Sequence, residues 1–216
     1  MKAGIKSLRA QLARTADSLR SFAADPTGRQ IASLLLALGG LAATAAIVGI
    51  YRQVRERNED WARWSLVLGC TYGILTTIYG ITLAFLFPIL SNLYLQGNAA
   101  TQASVLVVGS LPSPLDPFGF TKFILSGFWL LITGVLMLRT AYFDRPLAYL
   151  TLVAGLGVLL LFVGNVTNTS ALILATGVPG AAIIGPLFWL WVGYTLWTKQ
   201  SGQAEYFPGS KTAAGS

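Results

Sequence analysis

Histidine is absent from this chain of 216 residues, and cysteine occurs once, at Cys70. Without histidine there is no His-ligated haem, chlorophyll or zinc, and no imidazole general base. One cysteine inside an apolar run allows neither a disulfide framework nor a thiol-rich metal site. Charge is scarce as well: Asp, Glu, Lys and Arg make up 11% of the chain, while 54% is hydrophobic. A water-soluble domain carries about a quarter charged residues. No single core could hide this much apolar surface behind so few charges, so the composition specifies an integral membrane protein. Walker, GxSxG and HExxH motifs are missing, and Asp116, in "PSPLDPFGF", is the only carboxylate of its connection. The chain is therefore expected to be non-catalytic, with no cofactor and no metal.

What is present is a series of long apolar runs. The first, "IASLLLALGGLAATAAIVGIY" at 31–51, is long enough as a helix to cross about 30 Å of hydrocarbon. Further spans are expected at 64–87, 120–138, 147–164 and 182–197. These runs do not alternate with period two, so helices and not a barrel satisfy the backbone in lipid. The expected fold is all-α, a polytopic transmembrane helical bundle of about five spans over 31–198. A basic amphipathic segment, 1–30, precedes it, and a Gly-, Ser- and Ala-rich tail, 199–216, is expected to be flexible. Residues 1–22 are basic throughout and are not expected to be a secretory signal.

In residues 2–22, Ile5, Leu8, Leu12, Leu19 and Phe22 recur at helical spacing, with Lys2, Lys6, Arg9, Arg14 and Arg20 largely off that stripe. Such a helix is expected to lie among headgroups or to dock on a partner. "ADPTG" at 24–28 carries turn chemistry. Pro88 is expected to bend the chain beyond span two. The connection after it is expected to hold a short helix around 99–108 and a proline-rich turn at 112–117.

Side assignment rests on basic residues, which favour cytoplasmic loops. The linker 52–63 carries four Lys/Arg, 89–119 none, 139–145 two and 165–170 none, and the tail adds Lys199 and Lys211. The linker and the C-terminus are thus expected on the cytoplasmic side of an inner membrane, near anionic headgroups and not nucleic acid. The six Lys/Arg before residue 30 conflict with a single crossing at 31–51. Three arrangements reconcile them: an N-terminus on the far side, a re-entrant hairpin at Gly39-Gly40, or a short extra span within 97–111.

Two patterns stand out inside the spans. Gly69, Gly73, Thr77, Gly80 and Ala84 form a seam of small side chains, which in lipid permits close helix approach. It serves packing within the bundle or contact with another subunit. Gly177, Pro179, Gly180, Gly185 and Pro186 interrupt the fifth apolar stretch, as a loop or half-helix, or as a broken helix of the transporter kind. Between the span ends there is no ionisable group apart from the Cys and Tyr side chains, and Lys122, at an end, is expected to snorkel outward. Neutral polar groups remain at Cys70, Thr71, Tyr72, Thr76, Thr77, Tyr79, Ser126 and Thr133. Glu56, Glu59 and Asp60 alternate with arginines as a solvated ion-pair cluster. The "NVT" and "NTS" matches at Asn165 and Asn168 are expected to be turn residues.

"FILSGFWLLITGVLMLRTAYFDRPLAYLTLVAGLGVLLLFVG", followed by "FWLWVGYTLW", resembles a loose group of uncharacterised bacterial multi-pass proteins. The resemblance implies a bacterial inner-membrane protein and carries over no functional residue. The first expectation for function is an accessory or assembly subunit, packing on other membrane proteins or on itself through its small-residue seams. The alternative is a carrier or channel for a neutral or lipophilic solute, built from the hydroxyls of 64–87 and the interrupted stretch at 177–186.

Overall fold

The structure, a computed structural model, describes residues 2–110, 120–167 and 169–204. The turn at 112–117 with Asp116, Asn168 and the tail beyond Ala204 lie outside the described residues. Every regular element among the described residues is helical: α1 (Lys2–Ala24), α2 (Pro26–Val54), α3 (Glu59–Gln96), α4 (Ala99–Gly109), α5 (Phe120–Leu138), α6 (Arg145–Thr167), α7 (Ser170–Pro179), a π-helical turn (Gly180–Ile184) and α8 (Gly185–Ala204). Five helical stretches are long and apolar enough to cross a membrane: Pro26–Val54, Glu59–Gln96, Thr121–Leu138, Arg145–Thr167 and Ser170–Lys199.

Local chemistry sets the joints. Asp25 alone separates α1 from α2; its carboxylate accepts the Gly28 amide at 3.0 Å, and Pro26 starts the helix where its missing N–H costs nothing. Asn58 caps α3, accepting the Trp61 amide at 3.2 Å, and Glu59 and Asp60 sit in the first turn, where the helix dipole favours negative charge. Arg63 meets Glu59 at 2.7 Å in an exposed pair, in keeping with a solvated cluster. Trp61, Trp64, Tyr194 and Trp197 are exposed. They occupy the ends of α3 and α8 as an interfacial belt would.

Several expectations change. The helix through 31–51 is unbroken from Pro26 to Val54, so Gly39-Gly40 forms no re-entrant hairpin. Alanines and leucines flank that pair and hold the helix, and Gly40 is required for packing. The short helix α4 has 11 residues, about 16 Å of rise, too short for a sixth span. Consequently α1 and the 52–63 linker lie at opposite ends of α2. The helix α3 runs through Pro88 to Gln96. An interior proline costs about 3 kcal/mol. Here the following turn is anchored: Leu90 and Ser91 are buried, and the Ser91 hydroxyl donates to the Leu19 carbonyl at 2.8 Å. Residues 199–204, expected to be flexible, continue α8. Lys199 ties them down by donating to the Tyr142 carbonyl and lying 3.9 Å from the Asp144 carboxylate.

Two cores result. The larger joins α2, α3, α5, α6 and α8 around Ile47, Trp129, Met137, Leu147 and Val192. Between α3 and α5, the buried hydroxyls of Ser65 and Thr133 bond to each other at 2.7 Å. The smaller core places Leu19 and Phe22 of α1 on Phe87 and Leu90 of α3 and Val105 of α4. The apolar stripe of α1 therefore docks, at its C-terminal end, on the chain's own helices.

Candidate functional site: a cavity beside the π turn

The two faces of α3 do different things. On one, the small-residue seam meets α2. A Cβ at Gly80 would lie 2.6 Å from the Ala37 nitrogen, and one at Gly40 would lie 2.8 Å from the Gly73 carbonyl oxygen. Gly73 faces the Thr44 hydroxyl, and Gly69 faces Ile47 and the Trp129 ring. Thr77 donates to its own helix at Gly73 (3.0 Å) and across to the Ala37 carbonyl (3.3 Å). Ala84 is fully buried. The seam is thus spent on α2, and no other chain can use it without displacing that helix.

On the other face, Tyr72, Thr76 and Tyr79 look into a cavity of about 600 Å³, within the range of ~300–1,000 Å³ typical of small-molecule sites. Its remaining walls come from α5, α6 and the α7–α8 stretch, with Leu36 of α2 at the edge. Gly177, Pro179, Gly180 and Gly185 all line it, whereas Pro186 is exposed and off the wall. The interruption at 177–186 is neither loop nor gap. The chain stays helical through one π turn, in which the Gly185 amide donates to the Gly180 carbonyl. Two prolines explain the shift: neither Pro179 nor Pro186 can donate, and a wider turn re-registers the ladder between them. Pro179 leaves Ala175, also in the wall, without the usual main-chain donor to its carbonyl.

Aromatic rings form the floor. Trp129 lies nearly parallel to Tyr72 at 6.2 Å and to Trp189 at 5.7 Å, and Phe188 meets it edge-on at 6.1 Å. Three wall hydroxyls have spent their protons on their own helices: Thr76 on the Tyr72 carbonyl (2.9 Å), Ser126 on Phe123 (3.2 Å) and Thr176 on Leu172 (2.7 Å). They offer the cavity lone pairs only. The half-buried side chain of Lys122, at the span end, lies over the Tyr79 ring at 3.8 Å, and it is the only charged side chain among the described residues of the wall. Of the other polar groups named from sequence, Thr71 faces outward, Thr133 is sealed against Ser65, and Cys70 packs at the edge of the larger core.

Sequence reasoning found the span-two hydroxyls and the interruption, but not that they share a site. It missed Trp129, Trp189, Thr176 and Gly157. The available signal was Trp129, a tryptophan in mid-span and far from the interfacial belt where that residue concentrates.

An apolar helical bundle with five membrane-crossing stretches and a side cavity defines this as an α-helical integral membrane protein. Residues 3–193 match the family described as a domain of unknown function, DUF4386, and the chain belongs to that family. The match reaches from α1 into α8, well beyond the C-terminal spans that carry the resemblance. No curated protein and no solved structure matches the chain.

Proposed function

We propose that this is a non-catalytic membrane protein that binds a lipophilic solute in the cavity beside the π turn, as a carrier for it. The observation that carries this reading is convergence: the α3 hydroxyl face and the interrupted helix, distant in sequence, line one volume of about 600 Å³. Its walls are mostly apolar, and apolar wall atoms with nothing opposite them forfeit dispersion contacts. A lipophilic occupant recovers those contacts. An accessory-subunit role draws no support from the α3 seam, which α2 covers. The Lys/Arg excess of 52–63 and 139–145 over the opposite loops favours 52–64 facing the cytoplasm and anionic headgroups, and α1, at the other end of α2, then lies on the far side against its own charge.

The test uses Gly157, which lines the cavity and where an added Cβ meets nothing within 4 Å. Gly157→Phe should plug the cavity without straining α6. Native mass spectrometry from mild detergent is expected to find a lipophile on the wild-type protein and none on the variant, at equal or higher thermal stability. Identical occupancy in both would remove the cavity from the account.

A further inference from the structure

Resting on the cavity reading above, we infer that the solute is a bilayer lipid whose hydrocarbon chain enters sideways from the membrane. Its route is a cleft between α2 and α7, in the leaflet opposite the 52–63 linker. The cavity belongs to one half of the bundle. Sequential spans run antiparallel: Gly80 faces Ala37 and Gly69 faces Ile47, while Gly127 faces Leu159 and Gly134 faces Leu152. The first half of α2, the first half of α5 and the second half of α6 therefore lie at the end away from the linker. Leu36, Ser126 and Leu160, which line the cavity, come from those halves.

Closure differs between the two ends. Towards the linker, α8 seals the bundle. Phe188 and Val192 are buried in the larger core, and Leu196 reaches α2, 3.2 Å from where a Cβ on Gly49 would lie. On the N-terminal side of Gly185 the chain parts from α2. There α7 stays on α6, where Gly164 faces Ile173 and Gly177 faces Leu161. Among the described residues, no Cα of α7 or the π turn lies within 8 Å of one on α2, α3 or α5. Packed helices, with axes ~8–10 Å apart, bring Cα atoms nearer than that. A cleft is left between Leu36 of α2 and Ala175 and Pro179 of α7, all three exposed and all in the cavity wall.

The surroundings decide what fills it. Both flanking stretches, Pro26–Val54 and Ser170–Lys199, are long and apolar enough to cross a bilayer, so the cleft opens on hydrocarbon. Leucine, alanine and proline at its rim hold no polar side chain against that solvent. The nearest matter is the chain of a neighbouring lipid, and it regains the dispersion contacts that bare apolar walls forfeit.

The experiment reconstitutes the full chain in phosphatidylcholine vesicles containing a phosphatidylcholine with a diazirine at the end of one chain. After illumination, labelled residues are mapped by mass spectrometry, with Leu190, exposed and off the wall, as the reference for lipid contact. Tyr72 and Trp189 of the wall should be labelled in the wild type. Leu36→Trp combined with Ala175→Trp fills the rim and should remove most of that labelling. Leu35→Trp combined with Leu174→Trp, exposed neighbours off the wall, should leave it unchanged. A second arm loads the probe into one leaflet, with protein orientation read from protease cleavage in 52–63. Wall labelling should then come mainly from the leaflet opposite the linker. Should the rim variant fail to fold, the leaflet arm on the wild-type protein decides alone. Three results overturn the inference: wall labelling equal in rim variant and control, labelling equal or greater from the linker-side leaflet, or an unlabelled wall beside a labelled Leu190. The cavity reading survives any of them if Gly157→Phe still loses the lipophile that the wild type holds. An unlabelled wall together with Gly157→Phe indistinguishable from wild type removes both.

Discussion

Gly80→Ala isolates what the α2–α3 seam contributes, because a matched control lies across it. The added methyl would sit 2.6 Å from the Ala37 nitrogen, 2.8 Å from the Ser33 carbonyl oxygen and 2.9 Å from the Ala37 Cα. All three are backbone atoms, so no rotamer change relieves the clash. Ordinary contact lies near 3.5–4.0 Å, so α2 must retreat by about 1 Å, and a gap of that size forfeits roughly a quarter to a half of each dispersion contact along the seam. Overpacking of this kind costs about 1–3 kcal/mol. Gly39→Ala places the same methyl where nothing lies within 4 Å. Both substitutions gain the same helix propensity, about 1 kcal/mol, so that contribution cancels. Reversible unfolding in mixed micelles of mild detergent and SDS should therefore find Gly80→Ala less stable than Gly39→Ala by about 1–3 kcal/mol. Equal stabilities would refute the claim that backbone approach holds these helices together.

The interior supplies two more tests. Ser65→Ala and Thr133→Ala should each cost about 1–2 kcal/mol by orphaning the other buried hydroxyl, and the double variant should cost less than their sum. A coupling near zero in the same micelle assay would mean the 2.7 Å pair adds nothing between α3 and α5. Leu19→Ala removes the fully buried anchor of α1 and should weaken its docking by about 2–4 kcal/mol. The readout is local: limited proteolysis at the Asp25 joint should accelerate while the unfolding midpoint of the spans stays near wild type, and unchanged cleavage would contradict the docking.

Spans were legible because a helix in lipid must be apolar over its full crossing length, which fixes existence and type from composition alone. Boundaries were less so. Hydropathy falls at Phe87-Pro88, yet α3 continues because Leu90 and Ser91 find α1, a partner distant in sequence. The seam was legible as a period of small residues, but its occupant was not. Only the complementary glycine at Gly40 and threonine at Thr44, on a different helix, identify α2. The cavity was the least legible feature. Thr76, Ser126 and Thr176 each look like hydroxyls bonded back to their own helices, and each is. Their shared orientation depends on how α7 and α8 pass α5, and one extra residue in a π turn sets that path.

The two faces of α3 also explain why a cavity exists at all in a bundle that packs closely elsewhere. Where glycine opposes threonine or alanine, as at Gly80 and Ala37, side-chain volume is too small to hold the backbones apart and the helices touch. Around the turn, Tyr72 and Tyr79 are large enough to prop the neighbours off, while the opposing helices present Gly157 and Gly180, where a Cβ would meet nothing within 4 Å. Large rings on one wall and glycines on the other leave a space that neither side fills. The same glycines that leave the space open also carry the helix-propensity cost of about 1 kcal/mol each, so the chain sustains two penalties for one volume.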